Sequence, residues 1–237
     1  ETMDRIMLKY LVTDKAGAME QLGIYGACYK LAILMTLFTQ TFRYAAEPFF
    51  FSQSGEKNAE RSYALVMRYF VIAGLLIFLV VMLYMDIVKF FIGERYHSGL
   101  KIVPVLLMAN LCMGVFYNLS VWYKLSGKTS YGAGLTVFGA AVTLLLNFWW
   151  IPRFGYQGAA WATFACYSSM MLASYLLGKK HFPVSYDIIN TLSYAALAIF
   201  LFLISAYLQT IMPEGPQAIP LFVNSLLLLI FITVVTV

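Results

Sequence analysis

Apolar residues in this chain do not alternate with polar ones; they run on. Seven continuous apolar stretches, at about 22–50, 64–91, 102–123, 130–151, 157–177, 188–211 and 219–237, are separated by polar connections. Each is close to the roughly 20 residues a helix needs to cross a bilayer. A barrel strand would alternate over about ten positions. The pattern predicts an all-α, polytopic membrane helix bundle with about seven transmembrane helices. The connections, among them "GERYHSGLK", "KLSGKTS" and "IPRFGYQG", hold the turn residues. Several are short, so neighbouring helices are expected to form antiparallel hairpins. Residues 1–21 carry charges of both signs. They are read as the end of a truncated helix plus an extracytoplasmic segment, and 22–237 as the transmembrane bundle with its last helix truncated.

Composition agrees with the pattern. The chain is 62% hydrophobic and 11% charged, with a mean hydropathy of +0.78. Soluble domains carry about 25% charged residues, and 237 residues cannot hide this much apolar surface in one water-soluble core. Cys28, Cys112 and Cys166 lie within apolar runs and are spaced too widely for a disulfide framework or a zinc site. They read as small packing residues. His97 and His181 lie in connections and show no metal-ligand spacing. No metal and no cofactor are expected. The net charge of +5 comes from scattered basic residues, not one basic face, which argues against nucleic acid as a partner.

Loop Lys and Arg set orientation instead. Connections after the first, third and fifth segments hold Lys57, Arg61, Lys124, Lys128, Lys179 and Lys180; those after the second, fourth and sixth hold Lys89, Arg95, Lys101 and Arg153. The bias is small, and Arg5, Lys9 and Lys15 erase it if counted. The tightest hairpins therefore decide: Lys124, Lys128, Lys179 and Lys180 are expected in the cytoplasm. The N-terminal segment is then outside. The chain begins at Glu1 and stops within an apolar run, and is read as a piece of a longer protein.

Charge inside a membrane segment is expensive and points to function. In the first segment, Thr36, Gln40, Arg43 and Glu47 recur at helical spacing and share a face. Arg43 and Glu47 are placed to pair within the helix, and Pro48 to break its hydrogen-bond ladder. The stripe faces a water-filled cavity with the ion pair at its mouth, or the pair anchors the helix end at the interface. Lys30 points roughly 140° away from Arg43 around the helix. It snorkels, or presents a cation to a phosphate inside the protein. Asn110, Gly114, Tyr117 and Asn118 lie near one face of the third segment, and Thr136, Ala140, Thr143 and Asn147 on one face of the fourth. Such groups usually bond between helices; Asn110, Asn118 and Asn147 are also candidates for lining a cavity. Gly158, Ala162 and Cys166, with Ala165, Ser169 and Ala173, mark the fifth segment as a close-packing helix. Trp149, Trp150 and Trp161 read as an interfacial aromatic belt.

No nucleophile stands beside a histidine, and there is no glycine-rich phosphate loop or paired carboxylate motif. The chain is not expected to be an enzyme. Three stretches carry a resemblance: "DRIMLKYLV…GIYGACYKLA" from Asp4 to Ala32, "TQTFRYAAEPFFF" from Thr39, and "NFWWIPRFGYQGAAWAT" from Asn147 to Thr163. In order and spacing they resemble bacterial polysaccharide flippases, of the superfamily that also holds MATE drug exporters and the lipid II flippase. The resemblance implies fourteen helices in two bundles around a central cavity, with this chain as the second bundle in the bacterial inner (cytoplasmic) membrane. It implies flipping of an undecaprenyl-pyrophosphate-linked oligosaccharide for cell-surface polysaccharide or lipopolysaccharide (O-antigen) biosynthesis. The implied partners are that lipid-linked oligosaccharide, membrane lipid and polysaccharide-assembly enzymes. Two alternatives stand beside it: a cation-coupled multidrug exporter of the same superfamily, and an integral membrane polysaccharide polymerase or ligase. Glu47, the deepest carboxylate in the predicted helices, has Arg43 beside it, which argues against the exporter. The short outer connections argue against the polymerase.

Overall fold

A computed structural model describes residues 2–12, 15–56, 58–182, 184–211 and 218–236. Among them the regular structure is helical, without strands. The helices are α1 (Thr2–Leu11), α2 (Lys15–Ser52), α3 (Ala59–Leu83), α4 (Met85–Val88), α5 (Val103–Leu119), α6 (Val121–Leu125), α7 (Thr129–His181), α8 (Ile188–Ile211) and α9 (Ala218–Thr236). Two 3-10 segments, Lys89–Phe91 and Glu94–Ile102, lie between α4 and α5. Five stretches are long and apolar enough to cross a membrane: Lys15–Ser52, Ala59–Leu83, Glu94–Leu125, Thr129–His181 and Ile188–Ile211. Pro220–Thr236 is apolar but shorter.

The expected seven segments thus become five at this length criterion, largely because 130–151 and 157–177 merge into α7. Merging is not straightness. Gly155 has φ 56° and ψ −134°, the geometry of the first central residue of a type II′ turn. Only glycine adopts that conformation without strain, and a Cβ here would also collide with the Gln21 amide. On either side of the turn the arms run back along each other. The Cys166 thiol donates to the Gly139 carbonyl at 3.2 Å, and Met170 covers Gly139. In a straight helix, residues 139 and 166 would stand roughly 40 Å apart.

Other boundaries move as well. Helix α2 begins at Lys15 and so takes in part of the expected extracytoplasmic segment. The rest of that segment is mostly α1, which packs on α2 and α7. Asp4 and Leu8, one turn apart, are buried there, while Arg5 and Lys9 point out. Pro48 does not end α2, which continues to Ser52: a proline this near the C-terminus leaves little of the ladder to disrupt. The expected 64–91 helix stops at Leu83, and the expected 102–123 helix is interrupted at Ser120. Lys57 and the connection 212–217 lie outside the described residues.

Lipid tails are as apolar as leucine, so close packing rather than water exclusion holds membrane helices together. The centre of this bundle shows such packing. Phe70 of α3 stacks on Phe38 of α2 at 5.1 Å between ring centroids and tilts against Phe42 at 4.6 Å. Gly114 of α5 leaves room for the same ring: any side chain there would strike Phe70 and the Thr39 hydroxyl. At one end of the bundle, Tyr63 donates to the Phe50 carbonyl at 3.1 Å and meets the Phe182 ring. That end gathers the connections after α2, α6 and α7, and with them Lys124, Lys128, Lys179 and Lys180. At the other end, Tyr156 donates to the Ser98 carbonyl at 3.2 Å, and Gln21 accepts from the Tyr156 amide at 3.0 Å.

Candidate functional site

A file of polar side chains runs along α2 from one end of the bundle toward the other. It passes between α2, α5 and the α7 hairpin. It begins at a buried carboxylate. Asp4, 1% exposed, accepts from Asn147 Nδ2 at 2.7 Å, from the Thr163 hydroxyl at 3.1 Å and from the Tyr25 phenol at 3.4 Å. Four helical segments contribute to this knot: α1, α2 and both arms of α7. Asn147 is fully buried, and its amide oxygen has no hydrogen-bond partner. An orphaned buried acceptor is costly, so this oxygen marks a place where a donor or a cation would be welcome.

One turn further along α2, Tyr29 and Thr36 both donate to Asn110 Oδ1, at 3.4 and 3.2 Å. Asn110 itself donates to the Leu106 carbonyl at 2.9 Å. The Arg5 guanidinium lies 5.6 Å from the Tyr29 ring centroid. Beyond this point come two more orphans, the Thr39 hydroxyl and Asn118 Oδ1. Asn118 Nδ2 donates to the Gly114 carbonyl at 3.1 Å. Both orphans line one small cavity with Arg43, Glu47, Tyr117, Ser120 and Lys124; it offers about 10 Å³ for water centres. That is about the room one water molecule needs.

The file ends in three charges. Glu47 does not pair with Arg43. Its carboxylate is taken by Lys124, from α6, in a salt bridge whose side chains are 29% and 32% exposed. The guanidinium of Arg43 lies instead over the Tyr117 ring, 4.8 Å from its centroid. Lys124 of α6 packs on α2, where its ammonium reaches Glu47 and leaves Arg43 to the aromatic face of Tyr117.

The predicted residues therefore separate. Thr36, Arg43 and Glu47 border α5 and α6 and join the file, as do Asn110, Asn118 and Asn147. Gln40 and Lys30 do not: both lie on the exposed stripe of α2 with Ile33, Leu37 and Tyr44. Gln40 sits at the edge of the polar face, far enough round to miss α5. Sequence reasoning missed Asp4, Tyr25 and Thr163, and used Lys124 only for orientation. Asp4 was legible in principle. Asp4 and Leu8 alternate with exposed Arg5 and Lys9 at helical spacing, the mark of a helix with one buried face. Among the described residues no three His, Cys, Asp or Glu side chains come together to hold a metal ion. No family model, curated protein or solved structure matches the chain. The site is accordingly read from its own chemistry.

Proposed function

We propose that this chain is the second bundle of a transporter that flips a lipid-linked oligosaccharide from the inner to the outer leaflet of the bacterial cytoplasmic membrane. On this reading both arms of α7 cross the membrane and α9 forms the seventh span. The end bearing Lys124, Lys128, Lys179 and Lys180 faces the cytoplasm. The observation that carries the reading is the file of polar groups ending in Arg43, Glu47 and Lys124. Hydrogen bonds between helices account for the neutral groups of the file, but ionisable groups in an apolar bundle are costly and mark function. Two cations beside one carboxylate leave a net positive mouth at the cytoplasmic end. That is the charge a pyrophosphate head group seeks, and Arg in particular binds phosphate through paired hydrogen bonds. The exposed stripe of α2 carrying Lys30 and Gln40 forms a wall of the pathway, along which the glycan passes while its lipid tail stays in the bilayer. Glu47 competes with the phosphate for Lys124. Arrival of the head group frees the carboxylate and loosens α6 from α2, which links binding to rocking of the bundles.

A specific observation supports a second reading, cation-coupled export within the same superfamily. Asp4 and Thr163, joined by the Asn147 oxygen once that amide is turned over, would offer a hard cation an all-oxygen donor set.

The test is made in cells that depend on the protein. With Arg43→Ala the lipid-linked oligosaccharide accumulates on the inner leaflet while protein level in the membrane stays normal. If glycan export is unchanged and drug resistance falls instead, the exporter reading replaces the flippase.

A further inference from the structure

A furrow of about 430 Å³ opens between the two arms of α7, away from the polar file. Tyr131, Gly134, Leu135 and Phe138 line one side, Ala173 and Leu177 the other. Gly134 faces this open space: a Cβ built there meets no atom within 4 Å. The wall is apolar apart from Ser130 and Tyr131, and three lysines lie within three residues of it along the chain. Lys128 stands just before the first arm, and Lys179 and Lys180 end the second; all three are exposed. His181 closes the corner, its Nε2 3.4 Å from the Tyr131 hydroxyl and its ring stacked on Trp122 at 5.6 Å.

Charge decides what such a furrow holds. From Arg95 to Tyr186 the chain contains no Asp or Glu. Of the acids that bound this stretch, Glu94 belongs to the segment whose Ser98 meets Tyr156 at the other end of the bundle, and Asp187 is engaged by the Asn190 side chain at 2.6 Å; Glu47 is held by Lys124. The lysines at the mouth thus lack an acidic neighbour along this stretch, and they sit where an apolar slot meets the level of the lipid head groups. Basic sites between membrane helices select anionic lipid heads.

We infer that the α7 furrow binds one anionic phospholipid of the surrounding leaflet, with an acyl chain along Leu135, Phe138 and Leu177 and its phosphate at Lys128, Lys179 and Lys180. The site does not depend on what the bundle transports. It clamps the two arms together at the end opposite the Gly155 turn, where only side-chain contacts otherwise join them.

Native mass spectrometry of the detergent-purified protein, supplied with equal phosphatidylglycerol and phosphatidylethanolamine, tests this. The wild type retains one phosphatidylglycerol with about tenfold preference. The combined Lys128→Gln, Lys179→Gln and Lys180→Gln variant loses the preference. Gly134→Leu, which fills the slot without a clash, loses the lipid while keeping the charges. A readout that leaves the furrow intact is quenching of Trp122 by brominated phosphatidylglycerol, with Trp149, Trp150 and Trp161 replaced by Phe. Equal retention of the two lipids overturns the proposal. So does lipid that survives Gly134→Leu, or inorganic phosphate that by itself displaces the lipid from wild type, or Trp122 that brominated lipid leaves unquenched.

Discussion

Arg43 and Glu47 lie one turn apart on α2 and yet do not hold each other, because Lys124 reaches Glu47 first. A double-mutant cycle between Glu47→Gln and Lys124→Met should therefore return a coupling of about 1 kcal/mol, as expected for a partly exposed pair. The Glu47→Gln and Arg43→Met cycle should return less. At Arg43 itself, Lys keeps the charge but stacks more weakly on Tyr117 and lacks the planar fork. Arg43→Lys should restore part of the transport that Arg43→Ala loses, measured as glycan appearing at the cell surface. Much of this was legible. The spacing of Thr36, Arg43 and Glu47 put them on one face, and Asn110, Asn118 and Asn147 were chosen as polar groups in apolar helices. The partners were not legible, since Lys124 and Glu47 are 77 positions apart in sequence and meet only through the packing of α6 on α2. Asp4 was hidden by its neighbours: charges of both signs around it made the segment read as surface.

Helix boundaries followed apolar runs well and failed where the chain bends without a polar break. Helix α7 is the clearest case. Its two arms were predicted from the turn residues in "IPRFGYQG", and the backbone reverses at Gly155, although hydrogen bonding carries helix assignment across the turn. Gly155→Ala should destabilise the protein by about 1–3 kcal/mol through its positive-φ, extended conformation alone, and more through the Gln21 contact. A lowered thermal midpoint in detergent would register it. Proximity of the arms can be fixed chemically: with Cys28 and Cys112 replaced by Ser, Gly139→Cys should cross-link to Cys166 under mild oxidation. Failure to form that bond in folded protein would mean the arms do not run together. The start of α2 was missed because Lys15 and Glu20 lower local hydropathy while leaving helix propensity intact.

For the whole molecule, the membrane class was readable from composition, and the grouping of connections at two ends follows from the hairpins. Cysteines placed at Lys128 and Lys179 should both resist an impermeant thiol reagent added outside intact cells; labelling at either would invert the topology. The central claim is that the bundle conducts an anionic, sugar-bearing head group that is received at the Arg43 and Lys124 mouth. Its most direct test is a leaflet assay with the purified protein in vesicles that contain a fluorescent pyrophosphate-linked oligosaccharide lipid, read by an impermeant quencher. The account predicts that wild-type protein moves the lipid between leaflets and that Arg43→Ala slows this about tenfold or more, the loss expected when a charged group leaves one phosphate contact unmade. Equal rates for wild type, Arg43→Ala and protein-free vesicles would contradict it.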